Sequence, residues 1–397
     1  VYVFNRTGTA TGFSLVMLAL FLPAILLRPV GGLLADRWKR RSMIILGDAG
    51  SALSVLLLLF SFSSGAPALW KIYLCVACNS AFTSLQAPAY KASVSDLVSE
   101  ERYEKAAGLM QLSSSAQHLF SPVVAGILLT AGSLQLILLI DIFSFVFAVT
   151  AALSIPGFSH NRDESEAGRS GSGPRLIIAD LRGGWEAVAS KPEVRAVVLL
   201  MSMLTLFVGV LQTLFAPMML SITEARTLGI AQSAGAVGML CSSLLLGLFG
   251  LKKRPWKSLL AGIAVAGFSM SLMGLTAQVV FISAAFFIFF CTLPIINTGA
   301  EVLIRRRIPN RSQGRAWGII GVLSQLGYVV AYASSGMLAD RVFGPLMSGD
   351  GLFSGSMGRI IGTGPGRGIA LMLMLSGICV LAVAAFTSRS GRTLAME

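Results

Sequence analysis

The sequence predicts an all-helical protein that crosses a membrane many times, built as two related six-helix bundles. Three observations carry this. Hydrophobic residues make up 55% of the chain and charged residues only 12%, too little polar surface for a water-soluble globule. The apolar residues fall in runs long enough to cross about 30 Å of hydrocarbon as helices, which satisfy their own backbone donors there. The stretches on either side of one long polar interruption also match each other.

Eleven spans follow in order: 12–35, 43–64, 69–90, 106–130, 134–155, 196–219, 228–250, 258–277, 279–298, 316–339 and 368–387. Val1 to Phe4 read as the tail of an earlier helix. Because the chain opens on Val where an initiator Met is expected, the expectation is that most of a first helix precedes it, and that the intact protein has twelve.

A formal charge of +13 raises the question of nucleic acid. Placement answers it. Setting the 36–41 loop in the cytoplasm brings most of the 31 Lys and Arg to that side, among them Lys105, Lys252, Lys253, Arg254, Arg305, Arg306, Arg307 and Arg315. This bias orients the chain, with linker and C-terminus cytoplasmic, and calls for no nucleic-acid partner. The five cysteines all fall within spans. Cys75-Val-Ala-Cys78 has redox or metal spacing, but without further ligands it reads as packing, so no metal site is expected.

The polar stretch 156–195 separates an N-terminal bundle at 1–155 (the end of helix 1, then helices 2–6) from a C-terminal bundle at 196–397 (helices 7–12). Its first part, through Ser159–Glu166 and Gly168–Pro174, is predicted to be flexible coil. Its second part sets Ile177, Leu181, Trp185 and Val188 on one helical face, predicting an amphipathic helix on the cytoplasmic membrane surface. A shift of 210 residues pairs Val98 with Ile308, Lys105 with Arg315, Ala106 with Ala316, Gly108 with Gly318 and Gly126 with Gly336. The two bundles are therefore repeats.

Gly32-Leu33-Leu34-Ala35-Asp36-Arg37-Trp38-Lys39-Arg40-Arg41 supplies a glycine, an aspartate four residues on, and a basic cluster. It resembles the signature loop of the major facilitator superfamily, Gly-x-x-x-Asp-Arg-x-Gly-Arg-Arg, with Gly32, Asp36, Arg37, Arg40 and Arg41 in register and Lys39 in place of the second glycine. The resemblance implies facing bundles around a midplane substrate site. It also implies a cytoplasmic gate, with Asp36 near Ala316–Gly318 at the start of helix eleven.

In the fifth helix Gly108, Ser121, Pro122, Ala125 and Gly126 resemble the antiporter signature Gly-x8-Gly-x3-Gly-Pro-x2-Gly-Gly, with Gln117 the clear departure. Small residues at this spacing equally serve plain helix packing. Leu85–Tyr90, Asp180–Trp185, Ala339–Phe343 and Gly362–Gly366 resemble the bacterial macrolide-efflux and enterobactin-exporter branch. Cys78-Asn79-Ser80 stand where many drug antiporters carry an arginine.

Charges within the spans are costly. Arg28 lies eight residues before Asp36, about 12 Å along a helix, and Asp48 sits at similar depth on the next span, so a salt bridge between them is expected. Asp141 has no evident partner; structural and proton-carrying roles both stay open. His118 can pack or titrate. Gln117, Gln212, Gln325 and Tyr328 are the polar groups expected in the cavity, among apolar walls drawn from 16 Met and 23 Phe.

The sequence contains no Gly-x-x-x-x-Gly-Lys-Ser/Thr, His-Glu-x-x-His or Gly-x-Ser-x-Gly motif. No cofactor and no enzymatic activity are expected. The resemblance implies a monomeric secondary transporter of a bacterial inner membrane. It would export an amphipathic drug, macrolide or siderophore by alternating access, with protons as coupling ion. A lysophospholipid flippase of the same fold and a non-transporting scaffold or sensor are the competing readings.

Overall fold

A computed structural model describes residues 1–63, 65, 67–97, 116, 117, 119–129, 134–154, 185, 186, 188–250, 255–308, 310–349 and 351–390. Side chains of Arg28, Pro29, Gly32, Leu33, Ala35, Asp36, Arg37, Lys91, Ala92, Val94–Leu97, Asn310–Arg315, Gly318 and Ser390 lie outside that description, as do Gly108 and His118 entirely. The helices are α1 (Tyr2–Thr7), α2 (Ala10–Arg37), α3 (Arg40–Ser63), α4 (Leu69–Leu97), α5 (Leu119–Leu129), α6 (Leu134–Ser154), α7 (Pro192–Leu220), α8 (Ala225–Phe249), α9 (Pro255–Met273), α10 (Val279–Arg307), α11 (Asn310–Leu323), α12 (Leu326–Leu338) and α13 (Arg367–Ser390). Nine stretches among the described residues are long and apolar enough to cross a membrane. Their exposed surfaces carry Phe143, Phe147, Leu248, Phe249 and Phe386, side chains suited to lipid.

Short connections reverse the chain. Gly8, at φ 64°, closes α1 and admits the turn into α2 that a side chain would strain. Arg6 donates to the Pro67 carbonyl at this end of the bundle. Arg41 donates to the Leu153 carbonyl at the other, which carries the 36–41 loop and is the basic end of the molecule. α4 packs between α2 and α3. Ser80 donates to the Leu20 carbonyl, and Gly47, Gly50 and Ser51 bring α3 against Gln86, Phe82 and Thr83. The second bundle packs α7 on α12, α9 on α10 and α13, and α8 on α10, around a core that includes Leu211, Phe215, Ile263 and Met270.

One predicted helix is two. The span 316–339 breaks between Leu323 and Leu326, where Ser324 and Gln325 form a tightened turn: Gln325 N–H donates to the Val322 carbonyl at 3.0 Å, a three-residue reach. The Thr205 hydroxyl of α7 donates to the freed Ser324 carbonyl at 2.6 Å. A neighbouring helix thus satisfies the acceptor that the break releases. α10 also runs past its predicted span, to Arg307. Glu301 and Arg305, one turn apart and 2.6 Å from each other, support that polar extension.

Candidate functional site

Among the described residues, two antiparallel crossings join the bundles at the end opposite the basic loop. In the first, α2 crosses α12. Gly336 lies against the backbone of Ala10 and Thr11, where a Cβ would come 2.7 Å from the Ala10 carbonyl oxygen. The Ser14 hydroxyl donates to the Tyr332 carbonyl. In the second, α5 crosses α8: a Cβ on Gly126 would come 2.9 Å from the Ala225 carbonyl oxygen, and Gly229 abuts the Pro122 carbonyl. The Ser233 hydroxyl donates to the Leu119 carbonyl at 2.6 Å. Pro122 and Gly126 of the antiporter-like motif therefore form an inter-bundle contact. Ser121 is exposed and Ala125 half-buried beside them.

A carboxylate ties the first crossing. α12 runs into a π-helical turn, Ala339–Phe343, which carries half-buried Asp340 over the start of α2. Its two oxygens accept the backbone N–H groups of Ala10 at 2.9 Å and Thr11 at 2.7 Å, and the Thr11 hydroxyl at 2.6 Å. Thr9 takes the next free donor, Gly12 N–H, at 3.3 Å. An anion at a helix N-terminus meets both unpaired donors and the positive end of the helix dipole. The first turn of α2 is thus completed by a residue 330 positions away. Sequence reasoning quoted Asp340 only within a branch motif. Nothing local marks an acid as the cap of a distant helix.

Deeper in the same crossing lies an aromatic and polar cluster. The Tyr332 hydroxyl donates to Gln212 Oε1 at 2.6 Å, and Phe21 of α2 packs on Tyr328 and Tyr332 with ring centroids 5.4 and 5.3 Å away. Tyr328 also lines a cavity of about 80 Å³ inside the second bundle, with Met201, Thr205, Phe289 and Asn297 among its other walls. Of the predicted cavity residues, Gln212 and Tyr328 meet here. Gln325 sits half-buried at the N-cap of α12, and Gln117 is exposed on the first bundle. Phe21, Thr205, Asn297 and Tyr332 join the site without having been singled out for it. Thr205 and Asn297 were legible as polar side chains in apolar runs.

The intramembrane charges fall differently. Asp48, 6% exposed, accepts from Gln86 Nε2 on α4 at 2.8 Å, a partner absent from the sequence reading. Gly47 leaves the room that Gln86 occupies. The Arg28 half of the expected salt bridge lies outside the described side chains, as do Gly32, Asp36 and Arg37 of the gate motif. Arg40 is half-buried and Arg41 reaches the end of α6. Asp141 is exposed on α6, so the protein itself does not cover it.

Two helical bundles crossing at two small-residue contacts, with a polar cluster at mid-depth, define a multi-pass transporter. The chain belongs to the Major Facilitator Superfamily, whose family model matches residues 2–332. It is 27% identical over 358 residues to macrolide efflux protein A of Streptococcus pyogenes, covering 86% of this chain and 84% of that protein. It is 25% identical over 352 residues to the uncharacterized MFS-type transporter YfiS of Bacillus subtilis, covering 85% and 81%. Enterobactin exporter EntS of Shigella flexneri matches at 32% over 103 residues, 26% of this chain and 25% of the exporter. Among solved structures, the nucleoside transporter NupG superposes with a TM-score of 0.67 at 12% identity, covering 95% of this chain and 90% of that one. A bacterial homolog of the lysosomal transporter Spinster, in an inward-facing and unoccupied conformation, gives 0.70 at 14% identity, covering 97% and 90%.

Proposed function

We propose that the chain exports an amphipathic small molecule of macrolide or siderophore type by alternating access, in exchange for protons. The basic end faces the cytoplasm of a bacterial inner membrane, and bundles at 1–155 and 196–397 rock about the linker 156–195 as a monomer. The observation that carries the reading is the pair of crossings at the opposite end. Backbone-to-backbone contacts at Gly336, Gly126 and Gly229, the first of them beside the α2 start that Asp340 caps, support the reading of a seal on the outer side. Export requires this seal to part, and its design allows that: each contact is small and polar, and water can take over the donors of α2 once they separate. The resemblance to macrolide efflux protein A over most of both chains supports a bulky, largely apolar cargo.

Gln212, Tyr332 and Tyr328 supply the polar contacts for such a cargo, with Phe21 and Met201 as apolar walls. Phe21 crosses from one bundle to the rings of the other, so parting the seal moves it away from them. Cargo between these side chains is thereby coupled to the crossing.

Cells lacking their own efflux pumps, expressing the full chain, should retain less labelled erythromycin than cells carrying an empty vector. In inverted vesicles the accumulation should collapse when the pH gradient is dissipated. Accumulation that survives an uncoupler and follows a sodium gradient would replace protons with sodium. Equal erythromycin retention with and without the chain, for siderophores as well, would remove the export reading.

A further inference from the structure

The second bundle carries a groove that the transport cluster does not use. It lies between the first turns of α7 and the Ser324–Gln325 turn and has a volume of about 350 Å³. Val198, Leu199 and Arg195 of α7, Leu323 and Leu326 beside the turn, and Trp185 and Val188 line it. Leu199 is 64% exposed and Leu326 46%, while Val198 beside them is buried.

We infer that this groove binds an anionic phospholipid of the cytoplasmic leaflet, its acyl chain between α7 and the broken helix and its phosphate on Arg195. Length is the first argument. From Arg195 to Ser202, the lining residues of α7 farthest apart, the helix advances about 10 Å, about two thirds of a leaflet when the hydrocarbon is roughly 30 Å thick, so the groove takes the upper part of an acyl chain. Charge is the second. Arg195 N–H donates to the Lys191 carbonyl at 3.1 Å, placing two cations on one face of the first turn of α7, both exposed. Basic pockets between helices on this side suit phosphate headgroups. Trp185, 54% exposed, sits where an amphipathic ring belongs at the membrane surface.

The location gives the lipid a role. Leu323 and Leu326 flank the Ser324–Gln325 turn that Thr205 holds from the other side. An acyl chain against both leucines braces that turn from the membrane, so the lipid content of the bilayer bears on the same helix that seals the outer crossing.

The test uses the full chain in nanodiscs containing a trace of phosphatidylglycerol with a photoactivatable diazirine in its acyl chain, and in a second set phosphatidylcholine with the same chain. Adducts should map to 198–202 and 323–326 and form several-fold more from phosphatidylglycerol. Arg195→Gln should remove that preference, Arg195→Lys should keep it, and Leu199→Trp should lower labelling from both lipids by filling the groove. Equal labelling by the two lipids, indifference to Arg195→Gln, or adducts spread evenly around the bundle would overturn the proposal. Displacement of the adducts by saturating erythromycin would also overturn it, assigning the groove to cargo. Adduct formation needs no turnover, so its failure is separable from a failure of export.

Discussion

Removing the Asp340 cap should loosen the outer seal by an amount the geometry bounds. The carboxylate serves three donors at 2.9, 2.7 and 2.6 Å. Hydrogen bonds to charged groups contribute about 1.5–3 kcal/mol each, and a charge at a helix end about 0.3–2 kcal/mol. These terms are not additive, and half-buried Asp340 stands where water can replace part of what is lost, so the cap as a whole is set at about 2 kcal/mol. At 1.4 kcal/mol per tenfold, Asp340→Ala then raises the population of the parted state roughly 30-fold. Ser14, 2% exposed behind the crossing, reports on that state. With Ser14→Cys in a background free of the five native cysteines, a membrane-impermeant maleimide added outside should react about 30-fold faster in Asp340→Ala, since its rate follows the open fraction while the closed state dominates. Thr11→Val removes one of the three bonds and should give about fivefold, from roughly 1 kcal/mol once the same discount for water and non-additivity is applied. A labelling rate in Asp340→Ala within twofold of the parent would refute the reasoning.

Two further outcomes follow from the packing, one from the expected Arg28–Asp48 pair and one from the gate motif. Gln86→Leu leaves buried Asp48 without its described donor and should destabilise the first bundle by about 1–3 kcal/mol, read as a lower melting temperature by fluorescence-detected size exclusion. If Arg28 shares that acid, Arg28→Leu or Asp48→Leu should reduce folded protein and the double substitution restore part of it, because a lone survivor is an uncompensated charge; a double variant no better than either single would exclude the pair. Gly229→Val drives a side chain into the Pro122 carbonyl and should abolish closure of the α5–α8 crossing. Maleimide reactivity of a Ser233→Cys reporter should then rise, and an unchanged rate would show that the crossing tolerates the clash. Asp36→Asn should leave expression intact while lowering efflux, and wild-type efflux would remove Asp36 from the gate.

Much of the fold was legible because membrane insertion is read locally. An apolar run of sufficient length must be a helix in lipid, since no water is present to satisfy its backbone, and so the described membrane-length helices overlap the predicted spans. Even here tertiary contact intervened. Thr205 holds Ser324 out of the helix that composition alone would have drawn through 316–339.

The sequence by itself determined the spans, the asymmetry of charge between the two ends, the internal repeat, and the small residues Pro122, Gly126 and Gly336 that mark close crossings. The tertiary structure alone decided what each polar group meets. Asp340 caps a helix 330 residues away, Asp48 takes Gln86, Tyr332 takes Gln212, and Asp141 stays uncovered. The physical reason is that the driving force for insertion belongs to each helix alone, whereas lipid and protein interior are equally apolar. Which faces turn inward is therefore left to a few hydrogen bonds and close backbone approaches between helices far apart in the chain.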